Sequence, residues 1–350
     1  MNTSLTRPVI GITMGDPAGI GPEILSSTLA DPNIHNICHP VIIGDTGVMK
    51  KAFEFTGTRR EIVEIDHPDQ ISNSISGQAE ANPGRVHLIP GPALDPAVTT
   101  LGAPTPATGK AMENYILTGV DLASTGAIQA LVTAPITKTG LKLAGSRFHG
   151  HTELIAHNTG TKAFAMMLAG ERLKVVLVTI HMPLAEVPRA LTPDAIVRII
   201  RLTHDSLRER FGINNPRIAV AGLNPHAGEE GMFGQEESEI IVPALETARK
   251  KGLNITGPLP PDTVFFSAVN GNFDAVVCMY HDQGLIPFKM VHFKDGVNTT
   301  LGLPIIRTSV DHGTAYDIAW QGKADDTSMK EAVKMAVLQS GHLTRFAHGQ

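Results

Sequence analysis

Three histidines sit just past the ends of apolar runs, and that placement is the most chemically informative feature of this 350-residue chain. Lys174–Ile180 leads directly into His181, and Asp274–Tyr280 leads directly into His281. Arg217–Gly222 is followed by Leu223-Asn224-Pro225-His226. In open α/β sheets, ligands gather at the carboxyl ends of strands. Three neutral imidazoles delivered there, with coordination positions left open, make a catalytic metal site. A lone histidine among the 15 present is more often a surface or core residue than a ligand. Three at equivalent strand exits are harder to explain that way. Asp282 and Gln283 follow His281, and such groups orient imidazoles or move protons.

Other polar segments interrupt apolar surroundings. Phe148–Glu153 gathers His149, His151, Thr152 and Glu153 around Gly150, where backbone and side chains can approach a small ligand. The alternative is a loop followed by a helix that Thr152 or Glu153 caps. Lys289, Asn298 and Arg307 lie along a segment broken by glycines and prolines. Cations of that kind near a cleft suit phosphate and carboxylate, although singly each reads as a solvated surface charge. Gly15-Asp16-Pro17-Ala18-Gly19-Ile20-Gly21-Pro22-Glu23 follows a strand-like run and opens a helix, with Pro22 in the first turn. It reads as an anion cradle or as a tight structural turn. Ile24 stands where the third glycine of the dinucleotide fingerprint would fall, which rules out a standard Rossmann turn. The loop Asp311-His312-Gly313-Thr314-Ala315 is polar and says little by itself.

The elements that must position these groups alternate between short β-rich runs and longer segments of helical period, the pattern of an α/β fold. Besides the three runs above, strands are predicted at Val9–Thr13, Val41–Gly44 and Ala130–Thr133, apolar enough to be covered on both faces. Thr192 as cap, Pro193 in the first turn and Gly212 as exit bracket a helix whose Ile196, Ile199, Ile200, Thr203 and Leu207 share one face. Further helices are predicted over 236–251, stopped by Gly252, and over 109–123. Ile71–Pro106, rich in Gly, Pro, Ser and Asn, reads as connection and surface structure near a lobe boundary.

Composition narrows the function classes. With 42% hydrophobic residues the chain can fill one large or two medium domains. A charged fraction of 18% and a net charge of −5 give no basic field for nucleic acid or a membrane surface. Cys38 and Cys278 lie far apart in no metal-ligand spacing, as expected in a reducing cytoplasm. The N-terminal residues lack the apolar core of a signal peptide. No apolar run reaches the roughly 18–20 residues that span a bilayer.

Several long segments, taken in order, resemble the 4-hydroxythreonine-4-phosphate dehydrogenase family of the vitamin B6 pathway and its D-threonate and D-erythronate 4-phosphate dehydrogenase paralogues. They are residues 15–23, Gly-His-Thr-Glu at 150–153, Gly-Leu-Asn-Pro-His-Ala-Gly-Glu at 222–229, Tyr-His-Asp-Gln-Gly at 280–284 and Asn-Thr-Thr-Leu-Gly-Leu-Pro-Ile-Ile-Arg-Thr-Ser at 298–309. The resemblance implies metal ligands at His181, His226 and His281, and substrate contacts at His151, Thr152, Lys289, Asn298 and Arg307. The loop 311–315 is similar to its counterpart in isocitrate and isopropylmalate dehydrogenases, which implies that His312, Gly313 and Thr314 border the dinucleotide. It further implies a two-lobed, mixed-sheet α/β fold of that non-Rossmann type. One lobe would take residues 1–129 with 305–350, the other residues 130–304, with the site in the cleft between them.

The implied chemistry is oxidation of a secondary alcohol of 4-hydroxythreonine 4-phosphate to a β-keto acid that decarboxylates. It would use NAD or NADP and one divalent ion (Zn, Mg, Mn or Co) per site, in a cytoplasmic homodimer whose subunits share the site. Lys289 and Asp282 are the candidate bases. One departure bears on substrate: B6-pathway members often carry a histidine where this chain has Thr137, before Lys138. That keeps the sugar-acid 4-phosphates open as alternatives. A metal-dependent aldolase or decarboxylase without NAD is a more distant reading, disfavoured by the 311–315 loop.

Overall fold

The computed structural model describes residues 7–66, 70, 84–95 and 101–349. The chain forms two compact units, Met1–Lys162 with Leu303–Gly341 and Ala163–Gly302 with His342–Gln350. Both are α/β, as expected. Among the described residues no helix is long and apolar enough to cross a membrane.

The first unit is built on β1 (Val9–Thr13), β2 (His39–Gly44), β3 (Glu61–Glu64), β4 (Arg85–Pro90), β5 (Ala130–Thr133) and β12 (Arg307–Val310). They lie in the order β3-β4-β2-β1-β5-β12, every pair parallel. Ile10, Ile12, Val41, Ile42, Leu131 and Val132 are fully buried, which is why these runs are continuously apolar. The division falls later than the sequence suggested: β5 pairs with β1 and β12 and so keeps residues 130–162 in this unit. The reading of Ile71–Pro106 as connection also needs correction. Residues 71–83 and 96–100 lie outside the described residues, but Val86 and Leu88 are buried in β4, between β2 and β3.

The helix expected over 109–123 spans Pro106–Ser124, starting earlier because Thr105 caps it in a reciprocal box with Thr108. Gly109 is then an interior position of close contact. A Cβ there would lie 2.0 Å from the carbonyl oxygen of Gly140, in the helix Lys138–Leu143.

The second unit carries β6 (Ala165–Ala169), β7 (Lys174–Leu177), β8 (Ile218–Ala221), β9 (Ile255–Leu259), β10 (Ala275–Cys278) and β11 (Val297–Leu301). Their order is β11-β6-β7-β10-β8-β9. The pairs β11·β6 and β6·β7 are antiparallel and the rest parallel, so this sheet is mixed. The helix Pro193–Glu209 begins at Thr192, whose hydroxyl accepts from Ala195 N at 3.2 Å. The helix His281–Val291 seats Gly284 against Cys278 and Leu177, where a Cβ would find side-chain atoms at 3.0 Å. It also sinks Phe288 wholly into the core beside Val175 and Val276, a burial worth roughly 1.5–3 kcal/mol. The segment expected as one helix over 236–251 is two elements, a π-turn Glu237–Ile241 and the α-helix Val242–Lys250. Pro243 supplies no N–H to the preceding turn, which lets the ladder slip by one residue there.

Candidate functional site

The strands that deliver the three histidines are neighbours, in the order β7-β10-β8 and all parallel. Beyond their ends the pairing of β7 with β10 continues. Val178 N donates to the Cys278 carbonyl at 2.9 Å, and the Thr179 hydroxyl donates to the Met279 carbonyl at 2.7 Å. Two parallel chains clamped this way leave His181 and His281 side by side, with ring centroids 5.7 Å apart. They border a cavity of about 400 Å³ that is also lined by Ile180, Met182, Tyr280 and Asp282. Nδ1 of His281 pairs with the Asp282 carboxylate at 2.7 Å, which favours the tautomer with a bare Nε2, the form that binds a metal. Asp282 is exposed and sits in the first turn of the helix that carries Lys289 seven residues on, so the two candidate bases share a helix face.

His226 is held differently. Its ring packs on Phe233, with centroids 6.1 Å apart. From His226 to Glu230 the backbone is left-handed throughout, with φ of 52°, 54°, 86°, 42° and 53°. Four of these five residues carry a Cβ, at a cost of roughly 1–2 kcal/mol each. Strain of that kind concentrates where geometry serves function. The turn is tied down by Glu237, a buried carboxylate that accepts from Leu223 N and Asn224 N at 2.7 and 2.8 Å. Among the described residues of the chain, no three His, Cys, Asp or Glu side chains gather closely enough to hold an ion. The structure thus brings His181 and His281 together, and among the described residues His226 does not join them in a three-residue cluster.

In the first unit, Arg307 begins β12 and is 2% exposed. Its Nε and Nη2 donate to the hydroxyl of Thr133, at the end of β5, at 3.1 and 2.8 Å. Burial pushes the guanidinium down to about 9, so it stays charged at neutral pH. His151 opens the helix His151–Asn158, with Thr152 beside it in the first turn. Burial holds the His151 imidazole well below its usual range, Arg307's charge adds to that, and a hydrogen bond to the Ala134 backbone opposes it. Its Nε2 is buried with no hydrogen-bond partner. A buried cation beside a neutral ring with a bare acceptor has the chemistry to receive an anion that also carries a hydroxyl. Glu153 serves the local structure, accepting from His149 N at 3.1 Å.

The opening glycine motif is a tight turn. Asp16 N donates to the Pro135 carbonyl at 2.9 Å, and the buried Asp16 carboxylate accepts from Ala18 N at 2.9 Å. The loop 311–316 docks on it: Ile20 N donates to the Thr314 carbonyl at 3.1 Å, and the Tyr316 hydroxyl donates to Asp16. Burial raises the Asp16 carboxyl, and burial followed by Asp16 raises the Tyr316 phenol. Thr314 and Thr137 also hydrogen-bond Tyr316. Thr314 is buried, whereas His312 and Gly313 are exposed and the His312 ring meets the Gly313 carbonyl at 3.1 Å. Asn298, on β11 of the second unit, keeps a buried Oδ1 with no hydrogen-bond partner. The sequence reading missed Thr133, the Asp16–Tyr316–Thr137 network and Glu237.

A family model described as pyridoxal phosphate biosynthetic protein PdxA matches residues 36–336. A 4-hydroxythreonine-4-phosphate dehydrogenase of Desulforapulum autotrophicum is 61% identical, over 95% of this chain and 96% of its own length. A D-threonate 4-phosphate dehydrogenase of Salmonella typhimurium is 43% identical, over 94% of this chain and 98% of its own. The crystal structure of a 4-hydroxythreonine-4-phosphate dehydrogenase from Klebsiella pneumoniae superposes with a TM-score of 0.86 at 42% identity, covering 96% of this chain and all (100%) of that one.

Proposed function

Since the chain belongs to the pyridoxal phosphate biosynthetic protein PdxA family, we propose that this dehydrogenase oxidises the secondary alcohol of 4-hydroxythreonine 4-phosphate to a β-keto acid that decarboxylates. The observation that carries this reading is the buried Arg307 guanidinium beside the neutral His151 ring, which suits an anionic, hydroxyl-bearing substrate. Arg307 anchors the anion and the bare Nε2 of His151 accepts a hydrogen bond from the substrate. Thr152, Asn298 and Lys289 add contacts, Asn298 through its unpartnered Oδ1. With Asp282 committed to the His281 ring, Lys289 Nζ takes the alcohol proton. NAD or NADP, bordered by His312, Gly313 and Thr314, supplies the hydride acceptor.

His181, His226 and His281 are the metal ligands for a Zn, Mg, Mn or Co ion, the imidazole set suiting Zn or Co better than Mg or Mn, which prefer oxygen ligands. Once bound, the ion contributes Lewis acidity that lowers the pKa of the alcohol. Two imidazoles in one chain are half a site, so a second copy completes it. Exposed apolar side chains support that arrangement: Leu184, Met232, Ile286, Met290 and Phe293 are 61–83% exposed, with Ile286 and Met290 one turn apart on a helix. Both cysteines are free and buried, and burial pushes the Cys38 thiol up to about 12, as suits a reducing cytoplasm.

Thr137 favours a second reading, in which D-threonate or D-erythronate 4-phosphate is the substrate. Its hydroxyl is engaged with Tyr316 where B6-pathway members often carry a histidine. The deciding experiment follows NADH formation from all three compounds, with chelator and with added divalent metal. Metal-dependent turnover of the amino acid supports the main reading, and turnover of the sugar acids alone replaces it with the second. No turnover of any of them overturns the substrate class.

A further inference from the structure

The turn carrying His226 leaves β8 at Ala221 and passes through Gly222-Leu223-Asn224-Pro225 before entering five consecutive left-handed residues. Nothing in those five residues favours that conformation except Gly228, so the geometry must be imposed from outside. Glu237 imposes it. Oε1 takes the backbone N–H groups of Leu223 and Asn224, and Oε2 takes the Asn224 side-chain amide at 2.9 Å. The second proton of that amide is available to Glu236, 2.8 Å away.

Gly228 is shaped to this carboxylate, and Gly222 to Ala227 of the turn and then to the carboxylate. A Cβ on Gly222 would come within 3.1 Å of Oε1, and one on Gly228 within 2.8 Å of Oε2. Gln283 grips the same segment from the other side: its Nε2 donates to the Gly222 carbonyl at 2.6 Å while its Oε1 accepts from Met279 N at 2.7 Å. Met279 lies two residues before His281. The buried Gln283 amide thus ties the exit of β8 to the exit of β10, and the buried Glu237 carboxylate holds the β8 exit itself. Glu237 is too heavily engaged to be a ligand or a base, since its two oxygens already face three donors.

We propose that Glu237 is the positioning residue for His226, setting the metal affinity of the centre without touching the ion, with Gln283 holding the same exit in register with His281. This rests on the reading of His226 as a metal ligand. Groups that orient a ligand from behind typically change metal affinity by about 10–100-fold when removed.

The test titrates Co²⁺, followed by its visible absorption, into the metal-stripped full-length protein and the variants His226→Ala, Glu237→Ala, Glu237→Gln and His226→Ala/Glu237→Ala. Urea midpoints of the same metal-free samples are measured in parallel. Glu237→Ala is expected to weaken Co²⁺ binding by about 10–100-fold. Glu237→Gln keeps an oxygen for the two backbone N–H groups but sets an amide against the Asn224 amide, so it should fold and fall between. In His226→Ala, the added Glu237→Ala change should weaken Co²⁺ no further, because both act through one imidazole. A folded Glu237→Gln or Glu237→Ala protein with wild-type Co²⁺ affinity overturns the proposal, as does an additive loss in the double variant. If His226→Ala itself binds Co²⁺ as tightly as wild type, the ligand reading fails and the positioning role fails with it.

Discussion

Arg307 in the first unit and His226 in the second were both conspicuous polar residues in the sequence, and the fold holds them in opposite ways. Arg307 lies within a parallel sheet, 2% exposed, with its guanidinium on the Thr133 hydroxyl of the neighbouring strand. His226 is exposed, beyond the end of its strand, on a left-handed turn that a distant carboxylate keeps in place. The first arrangement is rigid because the sheet itself supplies it. The second stores strain, and among the described residues its ring joins no three-residue cluster with the His181–His281 pair. The difference teaches that a side chain inside a sheet is fixed by its neighbouring strands, whereas one beyond a strand end depends on a separately held turn.

The largest expected effect breaks the exposed side of this comparison. His226→Ala should weaken metal binding more than any change behind the ligands and reduce turnover by at least roughly a thousandfold, yet shift the urea midpoint of the metal-free protein little, since it removes only an exposed ring. A large fall in the midpoint with metal binding intact would contradict the assignment. If a second copy packs on the exposed Met290, Met290→Glu should give a monomer in sedimentation and suppress activity with it. A fully active monomer would show that the second copy is dispensable.

On the buried side, Arg307→Lys keeps the charge but loses the planar fork. It should lower kcat/KM by about 10²–10³, mostly through KM for the phosphorylated acid. Thr133→Val should cost about 1–3 kcal/mol in stability by leaving two guanidinium N–H groups without that acceptor. The smallest effect is on pH. His39 is pushed down to about 4 by burial and nearby positive charge, and His151 is also lowered. Below a pH of roughly 6.5 the unfolded chain takes up protons that these folded rings refuse. Stability should therefore decline from about pH 6.5 toward 4, and His39→Gln should flatten that decline in urea midpoints.

Legibility in the sequence tracked burial type. The six strands expected from apolar runs are all present, because a strand covered on both faces must be apolar throughout. Among the described residues six strands were missed: β3 and β9 lie at the edges, β4 and β6 sit inside the order without a recognised flanking signal, and two are polar, Val-Asn-Thr-Thr-Leu in β11 and Arg-Thr-Ser-Val in β12. Their side chains are satisfied by hydrogen bonds, as in Thr308 Oγ1 to the Ala332 carbonyl at 2.8 Å, which no periodicity reveals. The strand exits of His181 and His281 were legible for the same reason as their strands. The displacement of His226 was not, since nothing in Pro-His-Ala-Gly-Glu-Glu announces five left-handed residues. A signal for Glu237 did exist: with Ile241, Ala244 and Ala248 it falls on the buried stripe of its helical segment, and a carboxylate on such a stripe must serve some partner.

The most direct test of the shared histidine centre mixes two inactive proteins. His226→Ala and His281→Ala chains, unfolded together and refolded at equal amounts, form hybrid dimers in which one site receives His281 from one chain and His226 from the other. A centre completed by the second copy predicts that metal-dependent NADH formation returns to about a quarter of the wild-type rate, from the one intact site of each hybrid. If the three histidines of a single chain make the centre, every site carries a lesion and the mixture stays as inactive as its parents.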